Sequence, residues 1–348
     1  MAQGFAGVPG TEAILSLSAN AEILHGPDAP RCDLPVATYR TAAGFAARAL
    51  ASPLLVRGLT RRIRALAPDV ALCAMPGPLD LAMAAALRRA GVPFLVVVHD
   101  ADAHPGDGLP GQMALQRALL RQADGLVALS AHVAARLEVQ GAVRGRPLLR
   151  TALPPLAFGP LPPPALAHGG RLRLLSFGRL LPYKGLDLLA GALQIVGPRA
   201  DLEVRITGSG PESPALASLR RMPDVAVENR WVPEAELAAL LAWSDALVLS
   251  HREASQSGVA AAAIAARRWV VATRVGGLAE QLAGEPLAIL CEPTAAGVAR
   301  GVQRLLAVAG EPAEGLDPGV PWQETVARLV SDLRRFRQSF VRRGALSS

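Results

Sequence analysis

The stretch SFGRLLPYKGLDLL, residues 176–189, reads as a strand end, a short loop and the start of a helix. Gly178 lets the backbone come close to a ligand, and Arg179 offers a planar, permanently charged guanidinium suited to phosphate oxygens. Lys184 adds a second positive charge just before the helix, whose first N–H groups favour an anion. Together these residues predict a diphosphate-binding site. The alternative is a surface loop with two solvated cations.

A second glycine turn follows in ITGSGPE, residues 206–212. It repeats the pattern of strand, glycine and helix. Gly208 and Gly210 are expected to keep the floor of a cleft low enough for a ligand. A Gly-x-Gly turn alone is weak evidence, because tight turns use it widely. Its recurrence beside the first motif favours one nucleotide-binding domain.

Both halves of the chain alternate short apolar runs with helix-like segments rich in Ala, Leu and Arg. We predict strands at residues 13–17, 70–73, 94–98, 125–129, 172–177, 201–207, 225–227, 246–249, 269–272 and 288–290. We predict helices at residues 53–66, 79–90, 185–195, 214–220, 234–242, 257–266, 295–307 and 322–342. Such alternation indicates an α/β fold of doubly wound, Rossmann-like sheets, covered on both faces by helices.

A proline-rich segment, LPPLAFGPLPPPALAHGG at residues 153–170, interrupts this alternation near the middle of the chain. Its prolines are incompatible with a regular helix or a central strand. We therefore predict a first domain over residues 1–155, a linker over 156–170 and a second domain over 171–315. A final helix within residues 316–348 is expected to cross back to the first domain. Ligands bind at the carboxyl ends of the strands in such sheets, so the two domains should face a central cleft.

Composition restricts the classes of partner. The net charge is +7, with basic runs at residues 61–64 and 334–337. These runs fit solvated helix faces, and weak contact with an anionic membrane surface is the alternative. Together they contain a single aromatic residue, Phe336, and form no interleaved aromatic platform for a nucleic acid, so we expect no nucleic-acid partner. Cys32, Cys73 and Cys291 lie far apart, which predicts buried thiols in a reducing cytoplasm.

From residue 172 to residue 281 the chain resembles the nucleotide-binding domain of glycosyltransferase family 4. This family consists of retaining enzymes with the two-domain GT-B architecture. Four blocks carry the resemblance in order: LLSFGRLLPYKGLDLL, VRITGSGPE, VENRWVPEAELAALLAWSDALVLS and EASQSGVAAAAIAARRWVVATRVGGLAE. The first half is similar to the family's acceptor domain more loosely, through LAPDVALCAMP, GVPFLVVVHD and LLRQADGLVALSAHVAARL.

The resemblance implies roles for individual residues. Arg179 and Lys184 match the family's basic pair on the donor diphosphate. Trp231 and Val232 match the loop that receives the nucleobase, and a packing role for Trp231 is the alternative. Glu253 matches the first glutamate of a two-glutamate motif that contacts the donor sugar.

Further roles concern the start of a helix and the first domain. The N–H groups of Ser257, Gly258 and Val259 are placed to face the phosphates. His99 matches a histidine close to the reacting sugar, where it serves as a hydrogen-bond donor. The alternative is a structural histidine.

The sequence departs from the family pattern in two places. Ala262 stands where the second glutamate is expected, so the carboxylate that usually binds the donor ribose is replaced in this EASQSGV variant. At the start, residues 4–10, GFAGVPG, precede the first predicted strand. They are either a remnant of the family's glycine-rich loop, or the family's first strand and helix are missing.

The leading hypothesis is a retaining glycosyltransferase of hexosyltransferase type. It would use a nucleoside diphosphate sugar and a saccharide or lipid-linked acceptor in polysaccharide or glycolipid synthesis, in the cytoplasm or at the inner face of the membrane. We expect no cofactor and no metal; Asp100, Asp102 and Asp107 form the less favoured metal alternative. The competing hypothesis is a degenerate GT-B protein that binds a nucleotide or a partner without turnover. An epimerase or a phosphorylase is a third option.

Overall fold

The computed structural model describes residues 2–25, 29–77, 79–104, 106, 112–309 and 319–346. Asp107 of the metal hypothesis lies outside this part of the chain. The described residues form two parallel sheets with helices on their faces, plus a short parallel pair of strands. The prediction of an α/β fold with two Rossmann-like domains is confirmed. Within the described residues, no helix has the length and apolar character needed to cross a bilayer.

The first domain contains a four-stranded parallel sheet in the order β3-β4-β5-β6 and a separate pair, β1-β2. Its strands are β1 Ser16–Ser18, β2 Leu34–Val36, β3 Ala71–Cys73, β4 Phe94–Val98, β5 Gly125–Ala128 and β6 Leu148–Arg150. Its helices are α1 Ala2–Ala6, α2 Ala42–Leu50, α3 Ser52–Leu66, α4 Asp80–Ala90, α5 Gln112–Gln122 and α6 Ala131–Val139. The central strands β4 and β5 are buried along their whole length, as expected for a sheet covered on both faces.

The second domain contains a six-stranded parallel sheet in the order β9-β8-β7-β10-β11-β12. Its strands are β7 Leu172–Phe177, β8 Leu202–Gly208, β9 Val225–Asn229, β10 Ala246–Leu249, β11 Trp269–Thr273 and β12 Ala288–Cys291. Its helices are α7 Leu186–Val196, α8 Pro214–Leu219, α9 Glu234–Trp243, α10 Gly258–Ala265, α11 Gly276–Gln281 and α12 Ala295–Val308. The order reverses direction between the neighbours β7 and β10, and ligands bind at the carboxyl ends of strands at such a point.

The two faces of this sheet bury separate cores. Leu174 on β7 joins Val248 and Val271 in a cluster with the helices on one face. Their neighbours in sequence, Leu175 and Leu247, belong to the cluster on the other face. Successive side chains in a strand point to opposite faces, so an uninterrupted apolar run fills both cores.

The proline-rich segment lies against the second domain through two buried charged residues. The carboxylate of Asp245 accepts hydrogen bonds from Leu166 N, Arg173 N and the ring of His168. Arg268, only 2% exposed, donates to the carbonyls of Pro163 and Leu241. Residues 163–168 are therefore fixed by side chains rather than by regular backbone pairing.

The last helix, α13 (Gly319–Leu346), packs on the first domain. Leu329, Leu333 and Phe336 recur at helical spacing, are buried, and contact the face of β4 and β5 opposite the main core. Residues 4–10 lie along the same helix: a side chain at Gly4 would meet Val326, and Arg334 donates to the carbonyls of Pro9 and Gly10. The GFAGVPG stretch is thus placed by α13.

Candidate functional site

The turn after β7 is shaped by two glycines. Gly178 has φ +116, a conformation that favours glycine, and its N–H donates to Thr207 O at 3.1 Å. A single turn of 3-10 helix follows over Pro182–Lys184. Gly185 has φ +66, and a Cβ there would lie 2.0 Å from Ser250 O. Gly185 precedes the helix as its N-cap, and α7 begins at Leu186, one residue later than predicted.

Arg179 and Lys184 both contact Tyr183, a residue only 5% exposed. Arg179 Nη2 donates to the Tyr183 hydroxyl at 2.9 Å, and Lys184 Nζ lies 5.2 Å from the ring centre. A cation held near an aromatic face is stabilised by the ring quadrupole. The structure therefore brings together the two charges of the predicted diphosphate site on one buried side chain.

Lys184 is also held by a histidine from the end of β10. Its Nζ lies 2.8 Å from Nε2 of His251, which is 2% exposed. Burial, and then the charge of Lys184, hold the pKa of His251 well below its ordinary value. A neutral ring accepts at Nε2, so the ammonium of Lys184 donates one of its hydrogens to His251.

Gly208 and Gly210 make room for the chain itself. A Cβ at Gly208 would lie 1.7 Å from Gly178 O, and one at Gly210 would lie 2.3 Å from Leu180 O. These glycines therefore let β8 approach the 178–180 segment. Gly208 and Gly210 therefore make room for the neighbouring turn, whereas the sequence predicts that they make room for a ligand.

The start of α10 borders the same turn. Ser257 is its N-cap, and its hydroxyl accepts from Ala260 N at 3.2 Å. The N–H of Ser257 donates to Gln281 Oε1 at 2.9 Å, so this N–H is already used within the protein. Gly258 and Val259 are the first two residues of the helix, where N–H groups lack intrahelical partners. A Cβ at Gly178 would lie 3.7 Å from Val259, so both elements face one space.

Trp231 and Val232 precede α9 in the loop after β9. The Trp231 residue is 75% exposed, which contradicts the packing alternative for it, while Val232 packs partly against the core. An exposed indole at the carboxyl edge of the sheet is available for stacking.

Glu253 and His99 lie at the ends of strands in different domains. His99 follows β4, and its Nε2 lies 2.7 Å from Ala74 O. A carbonyl only accepts, so Nε2 carries the proton and Nδ1 is the remaining ring nitrogen. Glu253 follows β10 and contacts His104 of the first domain at 3.2 Å, from Oε1 to Nδ1.

The two domains touch through several further groups around α6. Ser130 Oγ donates to Ser255 O at 3.0 Å. The carboxylate of Glu280, on α11, accepts from the N–H groups of Ala131 and His132 at 2.7 and 2.8 Å. Glu280, which the sequence did not distinguish from a surface carboxylate, caps a helix of the other domain.

Ala262 is 1% exposed and belongs to an apolar cluster on the helix face of the second sheet. Its methyl group can form no hydrogen bond at the position where the family's second glutamate is expected. Asp100 and Asp102, from the metal hypothesis, are bound by protein groups. Asp100 accepts from His104, and Asp102 accepts from Arg136 and Gln140. The three cysteines are free and partly buried, less completely than expected.

The sequence did not predict the contacts that three residues make in this site: Tyr183, His251 and His104. The role of Tyr183 could have been predicted, because Tyr183 lies between the two basic residues of the motif, Arg179 and Lys184. His251 and His104 lie 67 and 149 residues from the partners they contact, Lys184 and Glu253. Their roles depend on strand order and domain docking.

Comparison with known proteins agrees with this geometry. The family model for "Glycosyl transferases group 1" matches residues 171–308, and that for "Glycosyl transferase 4-like domain" matches residues 14–150. A comparison with curated proteins gave no match.

Solved structures share the fold at low identity. Sucrose-phosphate synthase from Thermosynechococcus elongatus superposes with TM-score 0.58 at 18% identity, covering 91% of this chain and 82% of that one. A glycosyltransferase from Rickettsia africae gives TM-score 0.58 at 16% identity, covering 89% and 83%. A protein assigned as a UDP-N-acetylglucosamine 2-epimerase from Listeria monocytogenes gives 0.56 at 13%, covering 94% and 89%. These neighbours establish the GT-B fold, and the two family models together identify the chain: its first domain belongs to the glycosyl transferase 4-like family and its second domain to glycosyl transferases group 1.

Proposed function

We propose that this protein is a retaining glycosyltransferase that moves a hexosyl group from a nucleoside diphosphate donor to an acceptor hydroxyl. The observation that carries the proposal is the placement of Arg179 and Lys184 at the carboxyl end of β7, beside the reversal of strand order. Two charges oriented by one buried tyrosine suit two linked phosphates.

The chemistry assigned to this pair is stabilisation of the leaving group. Negative charge grows on the diphosphate as its bond to the sugar carbon breaks, and Arg179, Lys184 and the first N–H groups of α10 oppose that charge. The acceptor oxygen bonds to the same carbon from the same face, and its proton passes to the departing diphosphate oxygen. No metal or cofactor is needed for this step.

The remaining residues position the sugar and the base. Glu253 and His99 approach from the two domains and contact the sugar hydroxyls. Trp231 and Val232 receive the nucleobase. We assign the acceptor to the first domain (residues 1–155), connected by the linker (156–170) to the donor-binding domain (171–315). The acceptor is a saccharide or lipid-linked sugar in polysaccharide or glycolipid synthesis, met in the cytoplasm or at the inner membrane face.

Calorimetry with UDP and GDP tests the diphosphate site. Arg179→Ala should weaken binding of the preferred nucleotide by roughly 10- to 100-fold, because a charge-assisted pair contributes about 1.5–3 kcal/mol. Arg199→Ala is the matched control, because Arg199 precedes β8 at the opposite edge of the sheet and pairs with Asp201 at 2.7 Å. If neither nucleotide binds the wild-type protein, the proposed function is wrong.

Turnover separates the two candidate functions. The burial of Ala262 in an apolar cluster favours the competing hypothesis of a protein that binds nucleotide without turnover. Donor hydrolysis is measured with and without acceptors from a cell extract, and the anomeric configuration of the product is read by NMR. Product with the donor's configuration supports the transferase. Tight binding that Arg179→Ala abolishes, without turnover of any donor, supports the binder.

A further inference from the structure

One imidazole joins carboxylates from the two domains. Nε2 of His104 lies 3.0 Å from Asp100 Oδ1, and Nδ1 lies 3.2 Å from Glu253 Oε1. Asp100 belongs to the first domain and follows β4, whereas Glu253 follows β10 of the second. The ring of His104 stacks on Tyr183, with centroids 4.5 Å apart and planes inclined by 15°. His104 therefore contacts the residue that orients Arg179 and the acid assigned to the donor sugar.

The protonation state follows from this geometry. An ionised carboxylate only accepts hydrogen bonds, so each ring nitrogen must donate to satisfy both contacts. A neutral imidazole carries a single N–H, and only the imidazolium carries two. The arrangement is complete only when His104 is a cation.

Three elements bring groups that act on this ring or on one of its direct partners. The end of β4 brings His99 and Asp100, the 182–184 turn brings Tyr183 and Lys184, and the end of β10 brings His251, Glu253 and Ser255. The bond to Asp100 raises the pKa of His104; partial burial opposes this, and the bond to Glu253 adds to it. Burial alone would raise the pKa of Asp100, but bonds from His104 and Ser255 outweigh it and lower that pKa.

We propose that His104 is a positioning residue: as a cation it donates hydrogen bonds to both Asp100 and Glu253, and we call this pair of bonds the clasp. Protonation of the His104 ring thereby favours the closed arrangement of the two domains and fixes the orientation of Glu253. The clasp stands on contacts between residues of this chain, and its effect on transfer rests on the proposed function. A histidine whose folded pKa is raised contributes its contacts below that pKa and loses them as the pH rises through it. The neutral ring has a single N–H and keeps one of its two hydrogen bonds, so His104 no longer connects Asp100 to Glu253.

The direct test is a titration of the full-length protein labelled at histidine Cε1, followed by NMR between about pH 5 and 9. Loss of a signal in His104→Phe, which keeps a ring against Tyr183, assigns the resonance. In Glu253→Gln we expect the pKa of His104 to fall by about one unit, because one of two anionic partners is removed. Glu234→Gln, an exposed glutamate on α9, is the control and should leave the titration unchanged. The same His104 pKa in the wild type and in Glu253→Gln would overturn the proposal.

A second measurement concerns transfer. If the clasp positions Glu253, kcat/KM for the donor falls on the alkaline side with the same pKa that NMR assigns to His104. In His104→Phe this limb disappears and kcat is reduced across the whole range, whereas the affinity for UDP changes less than twofold by our estimate. An alkaline limb that survives in His104→Phe contradicts the proposal. If the protein turns over no donor, the transferase assignment fails and the NMR titration still decides the clasp.

Discussion

At the scale of single residues, the site is built around two side chains that never need to touch the donor. Tyr183 receives a hydrogen bond from Arg179 and presents its ring to Lys184, and the neutral His251 accepts from Lys184. Two flexible cationic side chains are thereby restricted before a ligand arrives. Restriction in advance lowers the entropy that binding must remove.

The contact between Lys184 and His251 predicts a contrast between two substitutions. His251→Leu removes the acceptor and should weaken UDP binding by roughly fivefold, the equivalent of one hydrogen bond of about 1 kcal/mol. His251→Gln can place its Oε1 near the position of Nε2 and should bind within about twofold of wild type. Calorimetry compares the three proteins. Because the pKa of His251 is held well below its ordinary value, the contrast should persist between about pH 6 and 8. Equal loss in both variants would show that ring packing, rather than the acceptor, is what matters.

At the scale of elements, a buried carboxylate fixes the proline-rich segment to the second sheet. Asp245 lies just before β10, with its side chain 3% exposed, and it bonds to the segment through Leu166 and His168. It also accepts from Arg173 N at the start of β7. One residue therefore joins the linker to both strands that flank the reversal of strand order.

Removing this carboxylate should destabilise the fold markedly. Asp245→Ala leaves buried N–H groups without their acceptor, and we expect a loss of about 2–4 kcal/mol in the free energy of unfolding. Asp201→Ala is the matched control: Asp201 has an exposed side chain paired with Arg199, and its loss should cost less than about 1 kcal/mol. Urea unfolding followed by circular dichroism measures both. Comparable losses in the two variants would contradict the role given to Asp245.

At the scale of the whole molecule, three sets of contacts among the described residues connect the two domains. The helix α13 is joined to the end of the second domain in sequence, yet it packs on the first. Ser255 and Glu280 bind the start of α6, and His104 joins Asp100 to Glu253. The first set is mainly apolar, with Arg334 adding hydrogen bonds to Pro9 and Gly10, and the other two are mainly polar. The contacts of Ser255, Glu280 and His104 cross directly from one domain to the other, so opening of the cleft has to break them.

Glu280 should influence the balance between closed and open arrangements. A carboxylate at a helix N-terminus contributes about 1 kcal/mol, so Glu280→Ala should raise the ratio of open to closed molecules about fivefold. The readout is the radius of gyration from small-angle X-ray scattering, which should increase relative to wild type. Glu234→Ala, at the exposed start of α9, provides the comparison. An unchanged radius of gyration in Glu280→Ala, with UDP still binding normally, would argue against a closing role.

The sequence by itself determined most strands of the two main sheets and the core of the motif. Apolar strands such as Leu172–Phe177 and Phe94–Val98 were predicted to the residue, because burial on both faces leaves an uninterrupted apolar run. The short strands Leu34–Val36 and Leu148–Arg150 were missed, since three residues carry no usable periodicity. Gly178, Arg179 and Lys184 were found because they lie within seven residues of one another at a turn.

Only the tertiary structure decided what surrounds that motif. The partners of Lys184 and Glu253, His251 and His104, come from distant positions, and Glu280 caps a helix 148 residues away. Gly208 and Gly210 proved to serve the packing of a neighbouring turn. Local patterns record which residues are buried and where the chain turns. The order of strands and the docking of domains choose which residues meet, and this choice is a property of the whole fold.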